Sequence, residues 1–278
     1  MQRISWDDVP AELAELIEAR TGPILGTYTA ASGHNSPVAA TVVTAEGKTF
    51  VKGLPNDNHG VKGQLREIAV APLVAHISPC LRWHFDAAGW TVLGYEHIDG
   101  RHADYSPNSP DPDALLPVIE ALGQIEVTKP SPLFKRAEDR WKTYVEDASE
   151  LEAFRGSTLQ HTDWIPQNVL IAQGRAYLVD WAWPTLGAAW MDPAYMVIRL
   201  MASGHKIGDA EAFAGRIPAY ADADPTHLDS FAAANLRMWE EIERQAIGHT
   251  TTPWMRSVAL AAQEWAEHRR NRTRVFAL

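Results

Sequence analysis

Cysteine is nearly absent: Cys80 is the only one among 278 residues, so no intrachain disulfide and no cysteine-based zinc site is possible. No uninterrupted apolar run approaches the roughly 20 residues of a membrane-spanning helix. The opening residues, Met1 to Asp8, lack the charged and then apolar stretches of a secretory signal. Basic residues are in the minority, 25 Lys and Arg against 35 Asp and Glu, for a formal charge of −10. Nucleic-acid phosphates call for clustered cations, which this balance does not offer. The single basic cluster, His268 to Arg274, reads as a solvated helix end favoured by the helix dipole. Neither a G-x-x-x-x-G-K-[ST] nor a G-x-G-x-x-G motif occurs, and the histidines lack H-E-x-x-H spacing. No repeat or low-complexity tract is evident. A globular cytoplasmic protein, monomeric or homodimeric, without nucleic-acid or membrane partners, is the expectation.

What is present centres on His161-Thr162-Asp163-Trp164-Ile165-Pro166-Gln167-Asn168, followed by Asp180-Trp181. An H-x-D-x-x-x-x-N segment with a second aspartate downstream has the residue types that phosphoryl transfer needs. One carboxylate, Asp163, accepts the proton of an attacking hydroxyl. An amide and a second carboxylate, Asn168 and Asp180, supply oxygen ligands to a hard cation that also holds nucleotide phosphates. The spacing has a structural reason. Asn168–Ala172 and Arg175–Val179 read as two apolar strands joined by the turn Gln173-Gly174. Pairing Ala172 with Arg175 puts Leu170 opposite Tyr177 and brings Asn168 and Asp180 side by side at the open end. His161 is expected to hold this loop by hydrogen bonds to backbone rather than to act as base.

Elsewhere, Asp8 as cap, Pro10 in the first turn and the face Leu13, Leu16, Ile17 signal a first helix, ended by Gly22. Strand-like runs follow at 24–30, 38–44, 48–53, 81–86 and 90–97, with a helix over 61–77 bent by Pro72. Helices are then expected over 112–127, 135–151, 192–203, 209–221, 226–247 and 253–269. Asp192-Pro193 reads as a helix cap followed by proline at the first helical position. The fold class is α+β, with an N-terminal lobe at 1–97 built on an antiparallel sheet and a mainly helical C-terminal lobe at 98–278.

Taken together, these segments resemble the aminoglycoside phosphotransferase and choline kinase superfamily, small-molecule kinases with the bilobal protein-kinase-like fold. That resemblance implies further roles by position. Ser32-Gly33-His34-Asn35-Ser36 stands where the family has its nucleotide-binding turn, with Ser32, Gly33, Asn35 and Ser36 toward the phosphates. Lys52, on Thr49-Phe50-Val51-Lys52, is similar to the phosphate-pairing lysine, and Glu67 to the glutamate that orients it. Tyr95-Glu96-His97-Ile98-Asp99-Gly100 resembles the hinge, where the backbone of Glu96, His97 and Ile98 meets the purine. The chain departs from the family pattern at Thr162, where glycine is usual, at Ala182, and at Met196, where G-D-P-x-x-D would have its last aspartate.

The resemblance implies Mg2+ as cofactor, ATP or GTP as donor, and a small hydroxylated acceptor: an aminoglycoside-like antibiotic, or in metabolism a choline-like amine, a sugar or homoserine. Trp164, next to the base, is a candidate wall of the acceptor pocket, and Gln167, Trp239, Glu240 and Glu243 are further acceptor candidates. An aromatic box would take a cationic acceptor by cation–π contact, and the acids would do so by charge. Two rival expectations are weaker. A protein kinase needs a longer activation segment than 181–192, and a nucleotide-binding pseudokinase would have lost Asp163, Asn168 or Asp180.

Overall fold

The computed structural model describes residues 3–30, 36–245 and 252–276 and divides the chain into two compact units. The first comprises Met1–His102 with Gln167–Trp183, and the second Ala103–Pro166 with Pro184–Leu278.

In the first unit, strands Gly26–Thr29, Val38–Thr44, Gly47–Pro55, Trp90–Glu96 and Leu81–Ala87 lie side by side in that order, all antiparallel. Alternation explains the sheet. Val38, Val42, Val51, Val92 and Phe85 face a core shared with Leu13 and Ile17 of helix Ala11–Thr21, while Ala39, Lys52 and Leu93, paired across the strands, lie on the opposite face, which is buried too. The turn Ala88-Gly89 takes positive φ at both residues, 52° and 74°, as a two-residue turn matched to strand twist requires. A second sheet is formed by Arg101–His102, Val169–Ala172 and Arg175–Leu178. Its hairpin has the register the sequence implied, Ala172 with Arg175 and Leu170 with Tyr177, around Gln173-Gly174 at φ 52° and 74°. Gly100 is required there: a Cβ would stand 2.7 Å from the Ile171 carbonyl oxygen.

The second unit is mainly helical, with one small sheet of Lys135–Arg136, Thr185–Gly187 and Thr158–Gln160. Its interior is aromatic. Phe231 lies between Trp190, Tyr195, Phe154 and Trp141, with ring centroids at 5.3, 5.2, 5.7 and 5.9 Å. Helices Asp111–Gly123, Met191–Ala202, Ile207–Ala214, Pro225–Gln245 and Pro253–Phe276 carry the rest. No helix among the described residues is long and apolar enough to cross a membrane.

Several expected elements differ. The first helix starts at Ala11 after Pro10, and Asp8 belongs to a separate 3-10 turn, Trp6–Asp8, so it caps nothing. The Glu67 helix ends at Val74 rather than Ile77, because Pro72 removes a backbone donor in its last turn. The helix expected over 135–151 is absent. Lys135–Arg136 pairs as a strand, helix Ala137–Trp141 is short, and a new 3-10 helix begins at Ala148. Asp147 causes that restart: it accepts the Ser149 amide at 2.8 Å while Glu150 accepts the Asp147 amide at 2.9 Å, a capping box that breaks the run. The helix expected over 209–221 is divided into Ile207–Ala214 and Pro218–Ala221, since Pro218 begins a helix more readily than it continues one.

Candidate active site

In the first unit, the central strand Gly47–Pro55 carries Lys52, and helix Val61–Val74 carries Glu67. The lysine Nζ lies 2.8 and 3.0 Å from the two Glu67 carboxylate oxygens and 3.3 Å from Asp180 Oδ1. Tyr95 Oη donates to Glu67 Oε2 at 2.8 Å, so this carboxylate has three donated hydrogen bonds. Burial alone would lower the lysine pKa, yet Asp180 and Glu67 outweigh it and the pKa is raised. Burial pushes Glu67 upward while Lys52 pulls it down. With an ammonium at 2.8 Å and a phenol on the same group, the pair is charged.

Asn168 is buried just before the hairpin, and its carbonyl oxygen accepts the Val179 amide at 2.8 Å. That bond places Asn168 and Asp180 at the same open end of the ribbon. Asp180 itself has φ 65°, a left-handed conformation that aspartate tolerates better than most residues. An amide oxygen and a carboxylate suit magnesium, which binds few protein ligands and keeps waters and phosphate oxygens for the rest. The following residues are tied to the Glu67 helix and to Ser78 beyond its end. Arg66 donates to the Ala182 carbonyl at 3.1 Å and lies over the Trp183 ring at 5.4 Å, and Trp181 Nε1 donates to Ser78 Oγ at 2.9 Å.

In the second unit, the loop bearing Asp163 is clamped from below. Asp192 accepts the His161 amide at 2.7 Å on one oxygen and the Thr162 amide at 2.9 Å on the other. It lies within the first turn of helix Met191–Ala202, not at its cap, so the capping role expected of it is replaced by the clamp. Burial raises the Asp192 pKa against the pull of those amides. His161 Nδ1 accepts the Asp163 amide at 3.2 Å. Thr162, where the family pattern has glycine, adopts φ 66°. A β-branched residue is strained there, and Arg140 holds it by donating to Thr162 Oγ1 at 2.6 Å and to Thr185 Oγ1 at 2.6 Å. Arg199, on the same helix as Asp192, brings Nη2 to 3.6 Å from Asp163 Oδ1.

The other candidates are placed as follows. Ser36 is buried, and Ser32, Gly33 and Asn35 lie outside the described residues. The Glu96 amide donates to the Cys80 carbonyl at 2.8 Å, and the His97 pKa is lowered by burial and then by Lys48. Gln167 is exposed. Trp164 is fully buried with its ring against His161, centroids 5.9 Å apart, so it fills the interior under the loop and has no surface to wall an acceptor pocket. Trp239 is buried against Trp254. Glu240 and Glu243 line a groove with Leu236, Arg256, Leu260 and Gln263.

A five-stranded antiparallel sheet carrying a lysine–glutamate pair, with a helical unit carrying the H-x-D loop, defines a protein-kinase-like fold. Comparison with solved structures shows the same fold. Choline kinase LicA from Streptococcus pneumoniae matches at TM-score 0.62 and 15% identity, covering 93% of this chain and 100% of that one. A thermostable mutant of aminoglycoside phosphotransferase APH(4)-Ia, in ternary complex with AMP-PNP and hygromycin B, matches at TM-score 0.58 and 14% identity, covering 93% and 97%. No family model matches the sequence. No curated protein matches it either.

Proposed function

We propose that the chain is an ATP- or GTP-dependent O-phosphotransferase that acts on a hydroxyl of a small molecule in the cytoplasm. The observation that carries this reading is the Lys52–Glu67–Asp180 cluster, joined at 2.8 and 3.3 Å from three separate elements. A solvent-facing edge lysine would have no need of two carboxylates and a buried phenol.

In this reading Asp163 accepts the proton of the acceptor hydroxyl. The acceptor oxygen bonds to the terminal phosphorus as the bond to the bridging oxygen breaks, and the nucleoside diphosphate leaves with the electron pair. Transfer of this kind asks mainly for positioning and charge stabilisation. Lys52, fixed by Glu67, places the α- and β-phosphates. Asn168 and Asp180 hold Mg2+, which when bound neutralises charge on the phosphates. Ser36, together with Ser32, Gly33 and Asn35, which lie outside the described residues, is assigned to the phosphates. With the Glu96 amide committed to Cys80, the purine is met by the backbone of His97 and Ile98. Asp192 and His161 fix the loop that presents the base.

Hygromycin B in one structural relative and choline as the substrate of another support a hydroxylated small-molecule acceptor here. A resistance role and a metabolic one are both consistent with that chemistry. The direct test incubates the protein with ATP or GTP, Mg2+ and a panel of hydroxylated antibiotics, amines, sugars and hydroxy acids, read by mass spectrometry. A product heavier by one phosphoryl group is the expected result. Failure to bind nucleotide or to form any phosphorylated product would sink the proposal.

A further inference from the structure

Helix Met191–Ala202 is apolar and buried along nearly its whole length, and Arg199 stands in its last turn. A guanidinium cannot shed its proton to escape burial, so its charge persists inside the protein. Its three nitrogens differ. Nε and Nη1 are sealed from solvent with no hydrogen-bond partner among the described residues. Nη2 faces Asp163 Oδ1 at 3.6 Å, beyond hydrogen-bond length. The Tyr105 hydroxyl is a second buried polar group without a partner among the described residues, and its ionisation is governed, after burial, by Arg199 and Asp163. Asp163 keeps 38% of its side-chain surface and Arg199 only 6%, and Nη2, beside Asp163, is the guanidinium nitrogen that is not sealed.

The aromatic faces nearby are already used. The Arg199 guanidinium lies 5.8 Å from the Trp239 ring and 5.3 Å from the Trp254 ring, and these indoles meet edge to face. The protein's own cation fills the box that would otherwise receive a quaternary or protonated amine. Glu240 and Glu243, the acids expected to attract such an amine, line the groove with Arg256 instead.

Resting on the phosphotransferase reading above, we propose that Arg199 is a specificity determinant: it selects an acceptor with a carboxylate or phosphate beside the reacting hydroxyl and disfavours cationic acceptors. The hydroxyl donates to Asp163 while the anionic oxygen accepts from Nη2, drawn by the charge of the guanidinium. Because these two partners stand 3.6 Å apart, the hydroxyl and the anionic group belong to adjacent or once-removed carbons. Like charge across so short a gap repels choline and amino sugars.

The test uses the whole protein with ATP and Mg2+, and compares D-glycerate and D-gluconate with choline and D-glucosamine, with glucose as neutral control. Product formation is measured as kcat/KM, and thermal stabilisation by each compound is measured beside a non-hydrolysable nucleotide. The wild type is expected to favour an anionic acceptor by about tenfold or more, the scale of one charge-assisted contact, and to be stabilised by that compound. Arg199→Met should abolish both preferences while melting at or above the wild-type temperature, since replacing a buried charge whose Nε and Nη1 lack hydrogen-bond partners among the described residues with an apolar side chain is often neutral or stabilising. Arg199→Lys keeps the charge without the planar fork and should retain part of the preference. A wild type that favours choline or glucosamine, one that is neither stabilised by nor active on either anion, or an Arg199→Met protein with unchanged preference would overturn the proposal. Those outcomes differ from failure of the kinase reading, in which nucleotide itself neither binds nor transfers, and the stabilisation arm is read without turnover.

Discussion

In the first unit Lys52 has two carboxylates within 3.3 Å and a phenol behind one of them, so each buried charge has its counterpart. In the second, Arg199 has one carboxylate at 3.6 Å and two nitrogens without hydrogen-bond partners among the described residues. The packing differs in the same sense. Lys52 stands on a sheet strand between Ala39 and Leu93 of its neighbours, whereas the Arg199 guanidinium lies over two indoles, Trp239 and Trp254, at 5.8 and 5.3 Å. A self-neutralised cluster is ready for any nucleotide phosphate. A buried cation left short of partners is a demand placed on a particular ligand, and variation in acceptor belongs on that side.

The sharpest way to break this contrast is to remove the ligands of the nucleotide side and the base in turn. Asp180→Ala is expected to abolish turnover and weaken nucleotide binding in the presence of Mg2+, because the carboxylate proposed to hold the cation is gone. Asp163→Asn keeps its shape but cannot take a proton, and general-base removal costs on the order of 10²–10⁴ in rate. Its nucleotide affinity should stay within about twofold of wild type, since in the proposed reaction Asp163 meets the acceptor hydroxyl and not the nucleotide. Nucleotide titration followed by single-turnover transfer separates the two. Loss of nucleotide binding in Asp163→Asn together with full transfer at saturation would invert the assigned roles.

A second comparison lies within one strand. Lys52→Ala leaves Glu67 buried beside Asp180 without its cation, so phosphate positioning and fold stability should both fall. Lys48→Ala, at the start of the same strand, should be close to neutral. Equal effects in activity and melting temperature would remove Lys52 from the site.

Much of the first unit was legible because period-two alternation and the turns Ala88-Gly89 and Gln173-Gly174 are local signals. The register that carries Asn168 and Asp180 follows from that turn alone. The second unit was less legible. The break at Asp147 needed recognition of a capping box inside a helical pattern, Asp147 with Glu150. Asp192 looked like a cap because Pro193 follows it, and its partners, the amides of His161 and Thr162, lie 31 and 30 residues back in the chain. Tyr95 acts across 28 residues, Arg66 across 116, and Arg140 across 22 and 45. Arg199 did leave a signal: a lone cation in Tyr195-Met196-Val197-Ile198-Arg199-Leu200-Met201 is out of place on an apolar helix and should be asked what it pairs with.

The clamp on the loop gives an intermediate effect. In Asp192→Asn one of two acceptor oxygens becomes an NH2 facing a backbone donor. An unsatisfied buried donor costs about 1–3 kcal/mol, so the melting temperature should fall and kcat with it, while the nucleotide KM holds. If only the nucleotide KM moves, Asp192 is not serving the Asp163 loop.

The smallest expected effect is at Thr162, where two terms oppose. Its φ of 66° costs a side-chain-bearing residue about 1–2 kcal/mol, and glycine would relieve that while adding roughly 0.5–1 kcal/mol of backbone entropy to the unfolded chain. Against the relief stands the Arg140 hydrogen bond to Thr162 Oγ1 at 2.6 Å. A bond from a charged donor contributes about 1.5–3 kcal/mol, here reduced because Arg140 keeps Thr185 as a second acceptor. Thr162→Gly should therefore be destabilised by roughly 1 kcal/mol or less. Thr162→Ala loses the same hydrogen bond and keeps a Cβ in the left-handed region, so it should be the least stable of the three proteins. Urea unfolding gives the order directly: wild type, then glycine, then alanine. An alanine variant as stable as wild type would mean that the Arg140 contact does not set the loop, and a glycine variant no more stable than alanine would mean that the strain does not.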